Sequence, residues 1–122
     1  MTLLSRAADQ LLPLRPVVFH VLLSLADGER HGYAIVQDII ERSAGRIRLE
    51  PGNLYRHLKF MLDERLIEES ERRPVPDKDD ERRRYYRLTK LGRQVALAET
   101  TRLEALAVDA RTRLASRSHG RP

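Results

Sequence analysis

The chain contains no cysteine and no tryptophan among its 122 residues. The first absence excludes disulfides, thiolate metal sites and thiol redox sensing. Long apolar runs are missing too. The longest, Val17-Val18-Phe19 with Val21-Leu22-Leu23, is broken by His20 and falls far short of the roughly 20 apolar residues a spanning helix needs. No basic-then-apolar signal opens the chain, so the protein reads as intracellular. His20, His31, His57 and His119 show no HxxxH spacing and have no thiolate to join them, which points away from a metal site. His20 reads as a buried or half-buried helix residue. The run Asp77-Lys78-Asp79-Asp80-Glu81 lacks the glycine and the distal glutamate of a calcium loop and reads as a solvated loop tip. There is no glycine-rich phosphate loop, no nucleophile elbow and no internal repeat. The expectation is a protein that is not an enzyme and needs no cofactor.

Positive charge is present, in modest excess. Lys plus Arg number 23 against 18 Asp plus Glu, a net charge of +5, which suits a polyanionic partner. Its distribution is uneven: Arg72-Arg73 and Arg82-Arg83-Arg84 gather on either side of a segment crowded with Asp77, Asp79, Asp80 and Glu81. A chain of 122 residues is one small domain.

The most informative stretch runs from Pro51 to Ile67. Proline has a fixed φ near the helical value and no N–H, so Pro51 suits the first turn of a helix. Leu54, Leu58, Met61 and Leu62 recur at three- and four-residue spacing, the mark of one buried helical face. Asn53, Arg56, His57 and Lys59 lie off that stripe, with Tyr55 near its edge. A short helix that is apolar behind and carries cations and an amide in front can read a DNA groove; alone, it is equally an amphipathic helix with a solvated face.

The neighbours shift that balance. Upstream, residues 31–42 place Ile35 with Ile39 and Val36 with Ile40 at i,i+4, a second short helix, which Ser43-Ala44-Gly45 can end in a left-handed turn. Ile47-Arg48-Leu49 alternates as a very short strand would. Downstream, Leu66–Arg73 and Arg83–Thr89 flank a Pro-rich charged loop and read as a hairpin with a long tip. Before all of these, Pro16 can open a helix that runs to about Ala26, where Asp27-Gly28 stops it. Its apolar residues are too many for one stripe and place it deep in the core. The expected fold is mainly α with a small antiparallel β-wing, a winged helix-turn-helix.

Three segments in register then resemble the PadR-type winged-helix transcriptional regulators: His31-Gly32-Tyr33, Gly52-Asn53-Leu54-Tyr55, and Arg84-Tyr85-Tyr86-Arg87-Leu88-Thr89-Lys90-Leu91-Gly92. With their spacers they cover roughly residues 15–115. The resemblance implies a cytoplasmic, nucleoid-associated homodimer, usually a repressor on an inverted-repeat operator and often released by a small-molecule effector. The chain departs from such relatives in three places. Arg65 stands where a glycine is usual, costing about 1 kcal/mol if the left-handed turn is kept. Arg56-His57 stands where many relatives carry a proline. The missing tryptophan means that the aromatic drug-binding pore of some relatives does not carry over.

Beyond Thr89, a good N-cap, Leu91, Val95, Ala98, Leu103, Leu106, Ala110 and Leu114 keep helical spacing for about seven turns. Such a helix outruns a small core, and the apolar N-terminal residues Leu3, Leu4, Leu11, Leu12 and Leu14 have no partner in the pattern. Pairing with a second subunit would bury both. The expected organisation is an arm at 1–14 packing at a dimer interface, a DNA-binding domain at 15–89, a dimerisation helix at 90–116 and a disordered tail at 117–122. Leu4, Leu11, Leu91, Val95, Leu103, Leu106, Ala110 and Leu114 are the expected interface. Asn53, Tyr55, Arg56 and His57 are the expected base readers, Arg56 facing guanine and Asn53 adenine. Lys59, His31, Tyr33, Arg72, Arg73, Arg82, Arg83 and Arg84 are the other expected contacts to double-stranded DNA. Tyr85 and Tyr86 must face opposite ways, one of them into the core. The competing reading is a protein-binding adaptor, since winged helices also serve as docking modules.

Overall fold

In the computed structural model, residues 8–71 and 84–115 can be described. The elements are α1 (Pro16–Leu25), β1 (Arg30–His31), α2 (Gly32–Arg42), α3 (Pro51–Asp63), β2 (Ile67–Ser70), β3 (Tyr85–Leu88) and α4 (Lys90–Ala115). The expected loop tip, Arg72, Arg73, Arg82, Arg83, Leu3, Leu4 and the tail after Ala115 lie outside the described residues.

Local chemistry sets the helix limits. His31 is the N-cap of α2, its Nδ1 accepting the Ala34 N–H at 3.2 Å. After α2 the chain turns through positive φ at Ala44 and Gly45, and the Gly45 N–H returns to the Ile40 carbonyl at 2.8 Å. Arg65 keeps the left-handed geometry, with φ 62°, and the Leu66 N–H bonds the Met61 carbonyl at 2.9 Å. Thr89 caps α4 by accepting the Gly92 N–H at 2.9 Å. Its hydroxyl faces the Arg65 carbonyl at 2.6 Å and the Leu66 carbonyl at 2.9 Å, tying the start of α4 to the end of α3.

The sheet is antiparallel in the order β1-β3-β2. Register pairs Ile67 with Leu88 and Ser70 with Tyr85 on one side of β3, and Arg30 with Tyr86 on the other. The β2–β3 hairpin is the expected wing. The third strand is not where the alternation suggested: Ile47-Arg48-Leu49 is irregular, and Arg30–His31 takes the free edge of β3 instead. Ile47 and Leu49 still pack against the core, so their alternation reflects burial without a strand to pair with.

The core joins Val18, Val21, Leu22 and Leu25 of α1 to Ile35 and Ile39 of α2, Leu54, Leu58 and Met61 of α3, then Leu66, Ile67, Tyr86 and Val95. Each large aliphatic side chain buried there contributes on the order of 1.5–3 kcal/mol. Tyr86 is the inward member of the tyrosine pair at 4% exposure, and burial pushes its phenol above the ordinary value. Tyr85 remains half-buried with its ring edge-on to His31, centroids 5.4 Å apart. On the inner side of α1, Ser24 is fully buried and donates to Asp38 of α2 at 2.7 Å. Arg42 pairs with the same carboxylate at 2.8 Å, so α2 is held to α1 by polar as well as apolar contacts.

Three expected interface residues, Leu11, Leu91 and Val95, are already used within the chain. Val95 is fully buried in the core, and Leu91 packs against it. Leu11 and Leu12 also pack on this core, and Leu14 belongs to it. The unclaimed apolar surface therefore begins later on α4.

Candidate DNA-reading face

The outward side of α3 follows from its inward side. With Leu54, Leu58 and Met61 buried, the helical repeat turns Asn53, Arg56 and Lys59 to the exposed surface. Arg56 donates to the side-chain oxygen of Asn53, so the two form one unit rather than separate readers. Lys59 pairs with Asp63 at 3.3 Å, both highly exposed, and such a pair stabilises little. The first acidic side chain within α3 is Asp63, so the N-terminal two-thirds of this face is cationic.

The two edges of the face differ. On one edge, His57 is half-buried beside Arg15 and Arg56. Burial, then the charges of Arg15 and Arg56, hold its imidazole below the ordinary value, which favours the neutral ring. Arg15 was invisible as a site residue in the sequence, because only folding brings it from the start of α1 to α3. On the other edge, Tyr55 is 59% exposed and Tyr33, on the first turn of α2, is 67% exposed. Between them lies a hollow of about 330 Å³ lined by Gly32, Tyr33, Val36, Leu49, Leu54 and Tyr55. Phe60, 40% exposed on the outward side of α3, is a further residue the pattern did not single out.

At the wing, Arg84 is exposed and bonded to Glu69 at 3.1 Å. Arg87 bonds its cross-strand neighbour Glu68 at 2.7 Å and lies 3.9 Å from Glu29. Ser70 donates to the same Glu29 at 2.7 Å, which fastens the wing to the loop before β1. Of the expected wing arginines, only Arg84 falls among the described residues.

Two short helices joined by the connection at 43–50, the second with a cationic outer face, beside a β-hairpin that returns against them, define a winged helix-turn-helix. The chain belongs to the transcriptional regulator PadR-like family, whose model matches residues 21–98. That family is one of transcriptional regulators and not of enzymes. The fold is similar to that of a transcriptional regulator from Clostridium thermocellum, with 20% identity, a TM-score of 0.66 and coverage of 79% of this chain and 90% of that one. A PadR family transcription regulator from Clostridium difficile matches at 21% identity and TM-score 0.66, covering 80% and 97%. RosR of H. salinarum matches at 22% identity and TM-score 0.58, covering 84% and 97%. No curated protein matches the chain. Among the described residues no helix is long and apolar enough to cross a membrane.

Proposed function

We propose that the chain is a homodimeric repressor that binds an inverted-repeat operator in double-stranded DNA. Two copies of α3 enter successive major grooves, their centres about one helical turn or a multiple of it apart. The observation that carries this reading is the cationic outer face of α3, where Arg56 and Asn53 project as a bonded pair beside His57 and Arg15. The guanidinium reads a guanine edge, oriented by the Asn53 amide, whose NH2 group is directed at the adjoining base. Arg15, Lys59, His31, Arg84 and the arginines at 72, 73, 82 and 83 contribute phosphate contacts that set register. The distal half of α4 supplies the second subunit's contact, through Leu103, Leu106, Ala110 and Leu114. Release by a small-molecule effector belongs to the same reading and rests on family membership.

The test is footprinting and titration on DNA upstream of the chain's own gene. Arg56→Ala or Asn53→Ala should cost about 1–3 kcal/mol on the protected site and much less on random duplex. Equal losses on both would reduce α3 to a source of charge. A protein that binds no duplex in a salt-dependent way would instead be a docking adaptor. Because His57 is held neutral by its surroundings, approaching phosphates should raise its pKa again. Binding should then take up a proton and tighten as pH falls through the ordinary histidine range, a response lost in His57→Gln.

A further inference from the structure

The edge of α3 that carries Tyr55 differs in kind from the rest of the reading face. Arg56, Asn53 and Lys59 offer polar groups, whereas Tyr55 and Tyr33 offer two exposed rings over a hollow floored by Val36, Leu49 and Leu54. Large aromatic side chains held in water on both sides of an apolar hollow are poorly accommodated until something covers them. The surrounding charge specifies what that is. Arg56 and Lys59 lie on the same helix face and Arg15 beside its other edge, which favours a polyanion over an apolar protein surface. The hollow therefore lies alongside the charged surface proposed to meet DNA.

The major groove presents mostly hydrogen-bonding edges. Its one apolar feature is the C5 methyl group of thymine. We infer that Tyr55 and Tyr33 recognise a thymine methyl group, one per operator half-site, that enters the hollow between α2 and α3. This inference rests on the operator-binding reading above. Each half-site then carries two kinds of information: a hydrogen-bonded pair read by Arg56 with Asn53, and a neighbouring A·T pair read by its methyl group. The ring face rather than the hydroxyl makes the contact, so phenylalanine should replace Tyr55 and alanine should not.

The experiment uses the full-length protein and duplexes selected by it from a random pool. Each dT of the selected sequence is replaced in turn by dU, which removes the methyl group and leaves the pairing edge unchanged. Wild type should lose about fourfold in affinity per half-site at one thymine position, the worth of one buried methyl group, and little at the others. Tyr55→Phe should keep that penalty. Tyr55→Ala should bind the dT and dU duplexes equally, and Tyr33→Ala should shrink the difference; both rings are exposed, so circular dichroism and melting should show the fold retained. A selected sequence that is insensitive to dU at every position overturns this inference while leaving operator reading in place. A dU penalty that persists in both alanine variants also overturns it, because other residues then sense the methyl group. Failure to enrich any sequence overturns the operator reading itself.

Discussion

The two halves of α4 obey the same helical repeat and meet opposite fates. In the first half, Gly92, Val95 and Glu99 are buried. In the second, the same face continues through Leu103, Leu106, Ala110 and Leu114, yet Leu106 is 52% exposed and Leu114 74%. Leu97 and Val108, on another side, are exposed as well, at 58% and 66%. The proximal half is fixed by its own domain: Thr89 caps it against the end of α3, and Arg93 reaches the Ala26 carbonyl at 3.4 Å. The distal half projects past α1, where the described residues offer no more surface to cover it. A periodic apolar stripe therefore says that a helix will be covered, and not by what.

The largest way to break the comparison lies at the proximal end. A Cβ on Gly92 would stand 2.0 Å from the Leu66 carbonyl oxygen and 2.9 Å from Leu88 Cδ1. The Leu88 side chain can rotate aside, but the Leu66 carbonyl is backbone and cannot yield without moving the chain, so Gly92→Ala should destabilise the fold by about 3 kcal/mol, at the upper end of overpacking costs. Urea unfolding followed by circular dichroism checks this; a loss under about 1 kcal/mol would mean that the helix start can shift.

At the distal end the expected effect falls on assembly instead. Leu106→Glu combined with Leu114→Glu puts charge on a face left exposed by the described residues, so the winged domain should melt as before. In sedimentation velocity the dissociation constant of the proposed dimer should rise at least about 100-fold, or about 2.7 kcal/mol. An unchanged dimer would place the interface elsewhere and leave the exposed leucines unexplained.

Glu99 marks the border between the halves. Its side chain is 3% exposed and bonded by Arg102 at 2.6 and 2.9 Å. It also accepts the Leu14 N–H at 3.3 Å, which fastens the N-terminal arm to α4. The Arg102 hydrogen bond, against the opposing effect of burial, holds its carboxyl below the ordinary value. A carboxylate depressed in this way contributes stability that is complete above its unfolded-state pKa and is lost as pH falls through the folded-state one. Glu99→Ala leaves the buried Leu14 N–H without an acceptor and should cost about 1–3 kcal/mol near neutral pH. Glu99→Gln should cost less and flatten the loss of stability below the ordinary carboxylate range. Equilibrium unfolding at several pH values separates the two; an identical acid limb in wild type and Glu99→Gln would show that the clasp carries no pH dependence.

How much of this was legible follows from how local each signal is. The four helices and the hairpin were readable because their apolar spacing and their caps, Thr89 above all, lie within a few residues of one another. Strand β1 was not, because Arg30–His31 has no pattern of its own and becomes a strand only by taking the free edge of Tyr85-Tyr86. Ile47-Arg48-Leu49 misled for the converse reason: it has the alternation and no edge to join. In the candidate site, Asn53, Tyr55 and Arg56 could be placed from helical repeat alone. Arg15 beside His57, and Glu99 bonded to Leu14, join residues far apart in the chain, and no periodicity reports such pairs. The choice between Tyr85 and Tyr86 also needed the sheet, since alternation says that they differ and not which one is buried.

The smallest expected effect sharpens the account of the proximal anchor. Arg65 holds φ 62°, a left-handed conformation that costs a residue with a Cβ roughly 1 kcal/mol. The turn it makes presents the Arg65 and Leu66 carbonyls to Thr89, so the start of α4 depends on that geometry being kept. Glycine adopts the same conformation without the steric penalty, though it also gives the unfolded chain more freedom, and the two effects partly cancel. Arg65→Gly should therefore stabilise the domain by up to about 1 kcal/mol. The Arg65 side chain is exposed and lies at the C-terminal end of α3, away from Asn53 and Arg56, so sequence preference should not change. Paired unfolding curves and operator titrations read both quantities. If Arg65→Gly instead lowers stability, the arginine side chain contributes more to the groove it shares with Leu62, Glu68 and Lys90 than its backbone strain costs, and the anchor is held by side chains as well as by the turn.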